Sequence, residues 1–227
     1  MAQNNTAVIL AGGFGKRLKK ITKNKLPKPI VEINGKPFLD YLLQHVSKFK
    51  IKKIIIITSF LSEQIFKLYH KKKMKDSYIY CLKEEKPLGT GGALYLVKKI
   101  IKNKFILLNG DSIFKINLDK LLDIDLEDCK GICILTNNKN SETKKLNNLN
   151  IQNSRVIFEK NKKKINSGVY VFSPKIFNYI QKREISLEND ILKKLILKKK
   201  VMGINRNATF VDIGTPKTIK IAKKLLK

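Results

Sequence analysis

Residues 7–18 read AVILAGGFGKRL, and this stretch decides the fold class that the rest of the chain supports. The apolar run 7–11 predicts a buried strand, and Gly12 and Gly13 then open a loop. Glycines let a backbone approach a phosphate closely, and clustered N–H groups in such a loop bind anions. Arg17 can hold phosphoryl oxygens with two parallel hydrogen bonds. A plain strand-to-helix turn is the alternative, but it explains poorly three glycines followed by a basic pair.

The glycine loop matches neither of two common phosphate-binding patterns. Lys16 is followed by Arg rather than by Ser or Thr, which excludes a P-loop. Leu18 stands where a dinucleotide-binding loop has its third glycine. The loop is therefore a candidate phosphate site of another type.

Strands and helices alternate after this loop, with short connections between them. The predicted strands lie at 54–58, 78–82 and 105–108, and the predicted helices at 38–47, 61–72 and 93–101. Continuously apolar strands joined in this way predict a parallel sheet that is covered by helices on both faces. Ligands of such sheets bind at the carboxyl ends of the strands, where the loops 11–17, 58–62 and 109–112 fall.

The second half of the chain is less regular. It has predicted strands at 131–136, 155–158, 169–172 and 209–213, and predicted helices at 174–181, at 187–198 and from 216 to the end. The polar stretch 137–154 has no apolar periodicity, and we expect a mobile loop there. The sequence thus predicts one compact α/β unit over residues 1–227.

The net charge of +30 invites a nucleic-acid interpretation, but its composition argues against one. Lysine supplies 44 of the 48 basic residues, whereas proteins that grip phosphates and bases favour the bidentate fork of arginine. Lysines are spread along the whole chain, and the strands are aliphatic rather than interleaved with aromatics. A basic nucleic-acid-binding protein therefore stays a remote alternative, and we expect neither nucleic acid nor membrane as a partner.

Cysteine usage and the chain start bear on location. Three cysteines without a CxxC pair or a Cys/His cluster predict no zinc site and fit a reducing cytoplasm. The longest aliphatic run, 54–57, is far shorter than the roughly 20 residues that span a bilayer. No secretory signal is visible at the start. The expected location is cytoplasmic.

Four further motifs carry candidate chemistry. Lys28 lies between two prolines, which predict an extended segment that presents it rigidly, although an exposed lysine is the plainer interpretation. The segment 88–93, LGTGGA, allows close approach of a base or sugar, and a helix cap explains it equally well. Asp111 and Asp212 each follow a predicted strand, and such carboxylates suit Mg²⁺.

Taken in order, GGxGxR, PKP, LGTGGA, NGD, FEK, NSG and DIGTP resemble the motifs of the sugar-1-phosphate nucleotidyltransferases from residue 7 to the final helix. Within that family the chain looks most like the D-glycero-D-manno-heptose 1-phosphate guanylyltransferases. The resemblance implies a Rossmann-like three-layer sandwich with a mostly parallel mixed sheet. It also implies a nucleotide-binding half at about 1–115 and a sugar-binding half at about 116–227.

The same resemblance implies a role for each matched residue. Arg17, Lys28 and Asp111 would be catalytic, with Arg17 on the β- and γ-phosphates and Lys28 near the α-phosphate. Asp111 and Asp212 would bind Mg²⁺. The residues expected to bind the nucleotide are Leu10, Ala11, Gly12, Gly13, Gly15, Lys16, Gly89 and Thr90. Those expected to bind the sugar phosphate are Asn109, Gly110, Glu159, Lys160, Asn166 and Gly168.

The implied reaction joins a nucleoside triphosphate, expected to be GTP, to a sugar 1-phosphate for surface polysaccharide synthesis. A mannose- or glucose-1-phosphate transferase that uses another base stays open. Two departures from the family matter: Lys16 replaces the usual Thr or Ser, and an Arg-Tyr-Gly segment is missing where residues 141–146 read SETKKL. The sequence leaves the oligomeric state open.

Overall fold

A computed structural model describes residues 5–137, 148–160 and 164–226. The strands within these ranges are β1 (Asn5–Leu10), β2 (Glu32–Ile33), β3 (Lys36–Pro37), β4 (Ile51–Thr58), β5 (Lys72–Met74), β6 (Ser77–Lys83), β7 (Phe105–Asn109), β8 (Ser112–Phe114), β9 (Gly131–Thr136), β10 (Leu149–Gln152), β11 (Arg155–Phe158), β12 (Ile165–Phe172), β13 (Val201–Asn205) and β14 (Phe210–Asp212). The α-helices are α1 (Lys19–Thr22), α2 (Phe38–Val46), α3 (Ser62–Tyr69), α4 (Gly89–Gly92), α5 (Asp119–Leu122), α6 (Lys193–Leu197) and α7 (Pro216–Leu225). Short 3-10 helices lie at Lys16–Leu18, Lys28–Ile30, Ala93–Val97 and Pro174–Tyr179, and a π-helix at Leu187–Leu192.

One ten-stranded sheet, in the order β10-β11-β13-β9-β12-β7-β1-β4-β6-β5, contains strands from both halves of the chain. At its centre β1 runs parallel to both β4 and β7, and β4 runs parallel to β6. Seven of the ten strands point the same way, and β5, β11 and β12 oppose them. The predicted mostly parallel mixed sheet is confirmed. The division into two halves stays a prediction.

The two faces of the sheet carry separate apolar clusters, which makes three layers. Side chains alternate along a strand, so Ile56 of β4 packs on the face covered by α2. Ile57 points to the opposite face, where Leu94 and the helices from Leu187 to Leu197 lie. Because both faces are covered, the central strands are apolar at consecutive positions.

Several predicted elements need correction. Residues 93–101 do not form an α-helix; α4 starts earlier, at Gly89, and a 3-10 helix follows it. The early start follows from a long-range contact, since the N–H groups of Gly91 and Gly92 donate to the carbonyl oxygen of Ile185. Lys28 lies in a 3-10 turn, not an extended segment, with Pro27 as its N-cap.

Other short elements were missed or misplaced. Part of the predicted loop 137–154 is β10, which pairs with β11, and residues 138–147 lie outside the described ranges. The predicted helix 61–72 ends at Tyr69, and Lys72 already belongs to an edge strand. The hairpin β2–β3 and the strands β8 and β13 have too few residues to show an apolar periodicity in the sequence. Their hydrogen-bonded pairing with other strands identifies them.

Within the described ranges, no helix is both long enough and apolar enough to span a lipid bilayer. The cytoplasmic location stays a prediction.

His45 gives the stability of this fold a specific pH dependence. Its ring packs edge-on against Phe49, and its Nε2 atom is buried with no hydrogen-bond partner among the described residues. Burial, helped by the nearby Lys48, lowers the pKa of His45 from 6.5 to about 4. The neutral ring therefore stabilises the fold above pH 6.5, and this contribution is lost as the pH falls toward 4.

We expect the free energy of unfolding to drop by about 2 kcal/mol through His45 between about pH 7 and about pH 4, allowing for partial exposure of the ring. Urea unfolding at a series of pH values measures it. The variant His45→Leu should show a correspondingly smaller drop. Equal pH slopes for the two proteins would contradict the assignment.

Candidate active site

A cleft of about 300 Å³ opens at the carboxyl ends of β1, β4, β6 and β7. It brings together ten of the residues that the sequence analysis selected: Leu10, Ala11, Gly12, Gly13, Lys28, Gly89, Thr90, Asn109, Gly110 and Asp111. Two larger surface grooves, each lined by several lysines, contain none of the selected residues. The cleft is therefore the candidate active site.

Glycines are required where the loops of the cleft meet. A Cβ atom at Gly12 would lie 2.6 Å from Oε2 of Glu84, so the first loop fits closely against this carboxylate. A Cβ atom at Gly110 would lie 2.7 Å from the carbonyl oxygen of Leu10, which accepts a hydrogen bond from the Gly110 N–H. The loops after β1, β6 and β7 thus form one continuous wall.

Lys28 and Asp111 form an ion pair at the floor of the cleft. The Lys28 side chain is 9% exposed, and its Nζ donates to Oδ2 of Asp111, whose side chain is 41% exposed. Gly15 adopts a φ of 61° and lies against the stem of Lys28. A Cβ atom at Gly15 would lie 3.2 Å from the Cβ atom of Lys28. The structure therefore presents a buried cation and a carboxylate side by side in the cleft.

Asp111 and Asp212 are neighbours through the backbone. Asp111 lies in the turn just before β8, β8 pairs antiparallel with β14, which ends at Asp212, and the N–H of Ile213 donates to the carbonyl oxygen of Asp111. Oδ1 of Asp212 accepts from the N–H of Gly214 at 2.8 Å, while Oδ2 is buried without a hydrogen-bond partner in the described ranges. Asp212 itself is buried and lies behind the residues that line the cleft.

The donor set at this point fits a hard divalent cation. Asp212 has an orphaned carboxylate oxygen and is connected to Asp111 through one backbone hydrogen bond, and Mg²⁺ is commonly held by one or two carboxylates together with substrate phosphates and water. No group of three or more metal-ligating side chains occurs among the residues that the structure describes, so a complete shell would need substrate oxygens or water. The side chain of Arg17 also reaches this place. A Cβ atom at Gly214 would lie 3.1 Å from Nη2 of Arg17 and 3.0 Å from Oδ1 of Asp212.

Asn166 and Gly168 lie beside the cleft and support it from β12. Gly168 adopts a φ of 75°, and a Cβ there would lie 2.6 Å from Nδ2 of Asn109. Oδ1 of Asn166 accepts from the N–H of Gly168, and its Nδ2 donates to the hydroxyl of Tyr170. Asn166 therefore fixes the backbone on which Asn109 rests. Lys16 begins the short helix that carries Arg17.

The structure does not bring Glu159 and Lys160 to the cleft. They follow β11, and three strands, β13, β9 and β12, separate β11 from β7. Glu159 accepts a hydrogen bond from Nδ2 of Asn150 at 2.6 Å, and Lys160 is exposed. Their role in binding a sugar phosphate stays a prediction.

Three acidic residues line the cleft that the sequence analysis missed: Glu84, Glu184 and Glu188. Glu84 is buried, its Oε1 accepts from the N–H of Leu88 at 3.0 Å, and burial raises the pKa of its carboxyl group. Glu188 is 1% exposed and accepts from the hydroxyl of Thr90. The sequence offered one signal for these residues, namely that acidic side chains are rare in a chain with 18 acidic and 48 basic residues.

With Asp111, these residues place four carboxylates on one small cleft of a strongly basic protein. Carboxylates accept hydrogen bonds and bind cations. The cleft therefore suits a ligand with N–H and O–H donors, and Lys28 provides a cationic group beside them.

A mixed sheet with a glycine-lined cleft at the carboxyl ends of its strands defines a nucleotide-binding α/β enzyme. The chain belongs to the nucleotidyl transferase family, whose family model matches residues 6–227. The resemblance inferred from the motifs is thereby confirmed, and enzymes of this family generally use a divalent metal.

Relatives match over nearly the full length. The D-glycero-alpha-D-manno-heptose 1-phosphate guanylyltransferase of Aneurinibacillus thermoaerophilus is 34% identical, with 97% of this chain and 98% of the relative covered. The enzyme of the same name from Campylobacter jejuni is 35% identical, over 92% of this chain and 95% of its own. The crystal structure of HddC from Yersinia pseudotuberculosis complexed with GMP-PN has a TM-score of 0.79 and 31% identity, covering 98% of this chain and all of that one.

Removing either member of the Lys28–Asp111 pair should reduce turnover. The resemblance implies that Lys28 lies near the α-phosphate and that Asp111 binds Mg²⁺, so we expect Lys28→Ala and Asp111→Asn each to lower kcat by about 10²–10³-fold. Pyrophosphate release measures the effect, and circular dichroism checks the fold. Lys36→Ala and Asp76→Asn, two exposed residues outside the cleft, are the matched controls. Near-normal turnover in a folded Asp111→Asn variant would refute the role of this carboxylate.

Proposed function

We propose that the protein joins GTP to D-glycero-D-manno-heptose 1-phosphate, giving a GDP-sugar and pyrophosphate for surface polysaccharide synthesis. The observation that carries the proposal is the cleft, in which Lys28 and Asp111 face two glycine-rich loops. Full-length similarity to two heptose 1-phosphate guanylyltransferases supports the choice of substrates, as does the likeness to a structure complexed with GMP-PN.

The proposed reaction is an in-line displacement at the α-phosphorus. An oxygen of the sugar phosphate forms a bond to that phosphorus, the bond to the β-phosphate bridging oxygen breaks, and its electron pair leaves with pyrophosphate. The nucleophile is already an anion at neutral pH, so no general base is needed, and no histidine lines the cleft in the part of the chain that is described. Catalysis then depends on positioning and charge neutralisation.

Lys28 and Arg17 would neutralise the charge that develops on the leaving pyrophosphate. Asp111 and Asp212 would hold Mg²⁺, which supplies charge neutralisation at the phosphate oxygens when bound. The glycine loop would approach the triphosphate with its backbone N–H groups. Substrate binding would also separate the ammonium of Lys28 from Asp111, or share it between the carboxylate and a phosphate oxygen.

Glu84 supports guanine as the base. It lies beyond β6, against Gly12 and beside Gly89, at the end of the cleft farthest from β12. Guanine presents two adjacent N–H donors, N1 and the N2 amino group, and a carboxylate is a pure acceptor that matches both. Uracil and thymine present one such donor between two carbonyl oxygens.

The deciding experiment is a matrix of GTP, UTP, dTTP and CTP against the 1-phosphates of heptose, mannose and glucose. Pyrophosphate release with each pair, and mass spectrometry of the product, give the readout. We expect the highest kcat/KM for GTP with the heptose 1-phosphate. Preference for mannose or glucose 1-phosphate with another base would establish the alternative, and absence of turnover with every pair would overturn the proposal.

Glu84→Gln should change the base preference. The glutamine amide offers an NH₂ donor group and one acceptor oxygen. The variant therefore loses a charged hydrogen bond to guanine, and its NH₂ group opposes one of the two guanine donors. We expect kcat/KM for GTP to fall by about 10–100-fold, corresponding to about 1–3 kcal/mol, while the value for UTP is unchanged or rises. Glu85→Gln, 87% exposed and outside the cleft, is the control. An unchanged ratio of GTP to UTP turnover would show that Glu84 does not contact the base.

A further inference from the structure

Glu188 is a buried carboxylate to which the sequence motifs assign no role. It lies in the first turn of the π-helix Leu187–Leu192, is 1% exposed, and still lines the cleft. Burying a carboxylate is costly unless hydrogen bonds compensate it. Its place at the wall of the active-site cleft therefore calls for a functional explanation.

Glu188 is held in one orientation by its neighbours. Its Oε2 accepts from the hydroxyl of Thr90 at 2.7 Å and from the hydroxyl of Ser186 at 3.4 Å. The oxygen of the Thr90 hydroxyl in turn accepts from the N–H of Leu187 at 2.9 Å. The carbonyl oxygen of Ile185 binds the α4 backbone, so the whole segment is fixed against the second glycine loop.

Glu188 and Glu84 contact neighbouring positions of the second glycine loop, since Glu84 accepts from the N–H of Leu88 and Glu188 from the hydroxyl of Thr90. Burial first, and the carboxylate of Glu188 second, raise the pKa of Tyr170 on β12 well above its usual value, and burial and Glu188 likewise raise the pKa of Cys133 on β9. Glu188 is thus close to β12 and β9, whereas Glu84 follows β6. The phosphate-facing pair, Lys28 and Asp111, lies at the strands between them.

We propose that Glu188 is a specificity-determining residue whose carboxylate accepts hydrogen bonds from hydroxyl groups of the sugar 1-phosphate. The inference rests on the proposed function. A ligand with its base at Glu84 and its phosphates at Lys28 places its sugar toward β12, where Glu188 faces the cleft. A carboxylate accepts hydrogen bonds from neighbouring hydroxyls with both oxygens. A site built to bind a hydroxyl also discriminates strongly against an analogue that lacks it.

The test compares Glu188→Gln with the wild type by calorimetric titration of GDP and of GDP-mannose, and by steady-state kinetics. In the variant, the affinity for GDP should change less than about twofold. The ratio of the affinity for GDP-mannose to that for GDP, which measures the contribution of the sugar, should fall by about tenfold or more. The KM for the sugar 1-phosphate should rise by a similar factor with the KM for GTP unchanged. Glu32→Gln, an exposed residue outside the cleft, is the matched control.

Deoxy analogues of the sugar 1-phosphate sharpen the test. At least one analogue that lacks a ring hydroxyl should have a low kcat/KM with the wild type. The kcat/KM for that analogue should fall little further in the Glu188→Gln variant. Glu188→Asp, which keeps the charge but shortens the side chain, provides the same comparison if the glutamine variant does not fold.

Equal weakening of GDP and GDP-mannose would show that Glu188 only supports the Thr90 loop, and it would overturn the inference. Unchanged sugar affinity and KM would overturn it as well. Both outcomes leave the proposed function intact, because the wild type still forms the nucleotide sugar. Failure of the wild type to form a nucleotide sugar from any triphosphate would instead overturn the proposed function and this inference together.

Discussion

The ion pair between Lys28 and Asp111 is the interaction on which the site depends. A buried ammonium group is strongly destabilising without a partner, and the carboxylate of Asp111, in the turn between β7 and β8, provides one. The pair joins the turn at Lys28–Ile30 to a central strand, and the close approach of Gly15 leaves the lysine stem little room to move. In the proposed reaction, a phosphate that enters the cleft would meet a cation that is already positioned, which would lower the cost of organising the transition state.

Charge is distributed unequally between the surface and the cleft. The chain carries a formal net charge of +30, yet four carboxylates line a cavity of about 300 Å³. A lysine-rich surface raises the local concentration of anionic substrates without distinguishing among them. We expect the carboxylates of the cleft to distinguish them, since a base or a sugar presents N–H and O–H donors. The proposed function thus assigns attraction and selection to different residue types.

The sequence predicts the central sheet and the loops at its carboxyl edge well, because β1, β4 and β7 are short apolar runs that end in glycine or polar residues. It does not predict the turn at Lys28, since flanking prolines indicate an extended chain, whereas the N–H groups of Ile30 and Val31 close the turn and Lys28 pairs with the distant Asp111. Glu84 and Glu188 were missed for a related reason. Their neighbours in the cleft come from distant parts of the chain, and no local period records such contacts.

The contact between the second glycine loop and residues 183–188 has a consequence for how relatives can diverge. Cβ atoms at Gly89 and Gly92 would lie 2.6 and 2.2 Å from backbone oxygens of Ile185 and Arg183, which leaves no space for larger residues. The main chain on both sides is therefore locked by steric fit. The side chain of Glu188 is tied to this frame by its hydrogen bonds to the hydroxyls of Thr90 and Ser186. We therefore expect relatives to exchange these side chains together rather than one at a time, on an unchanged backbone.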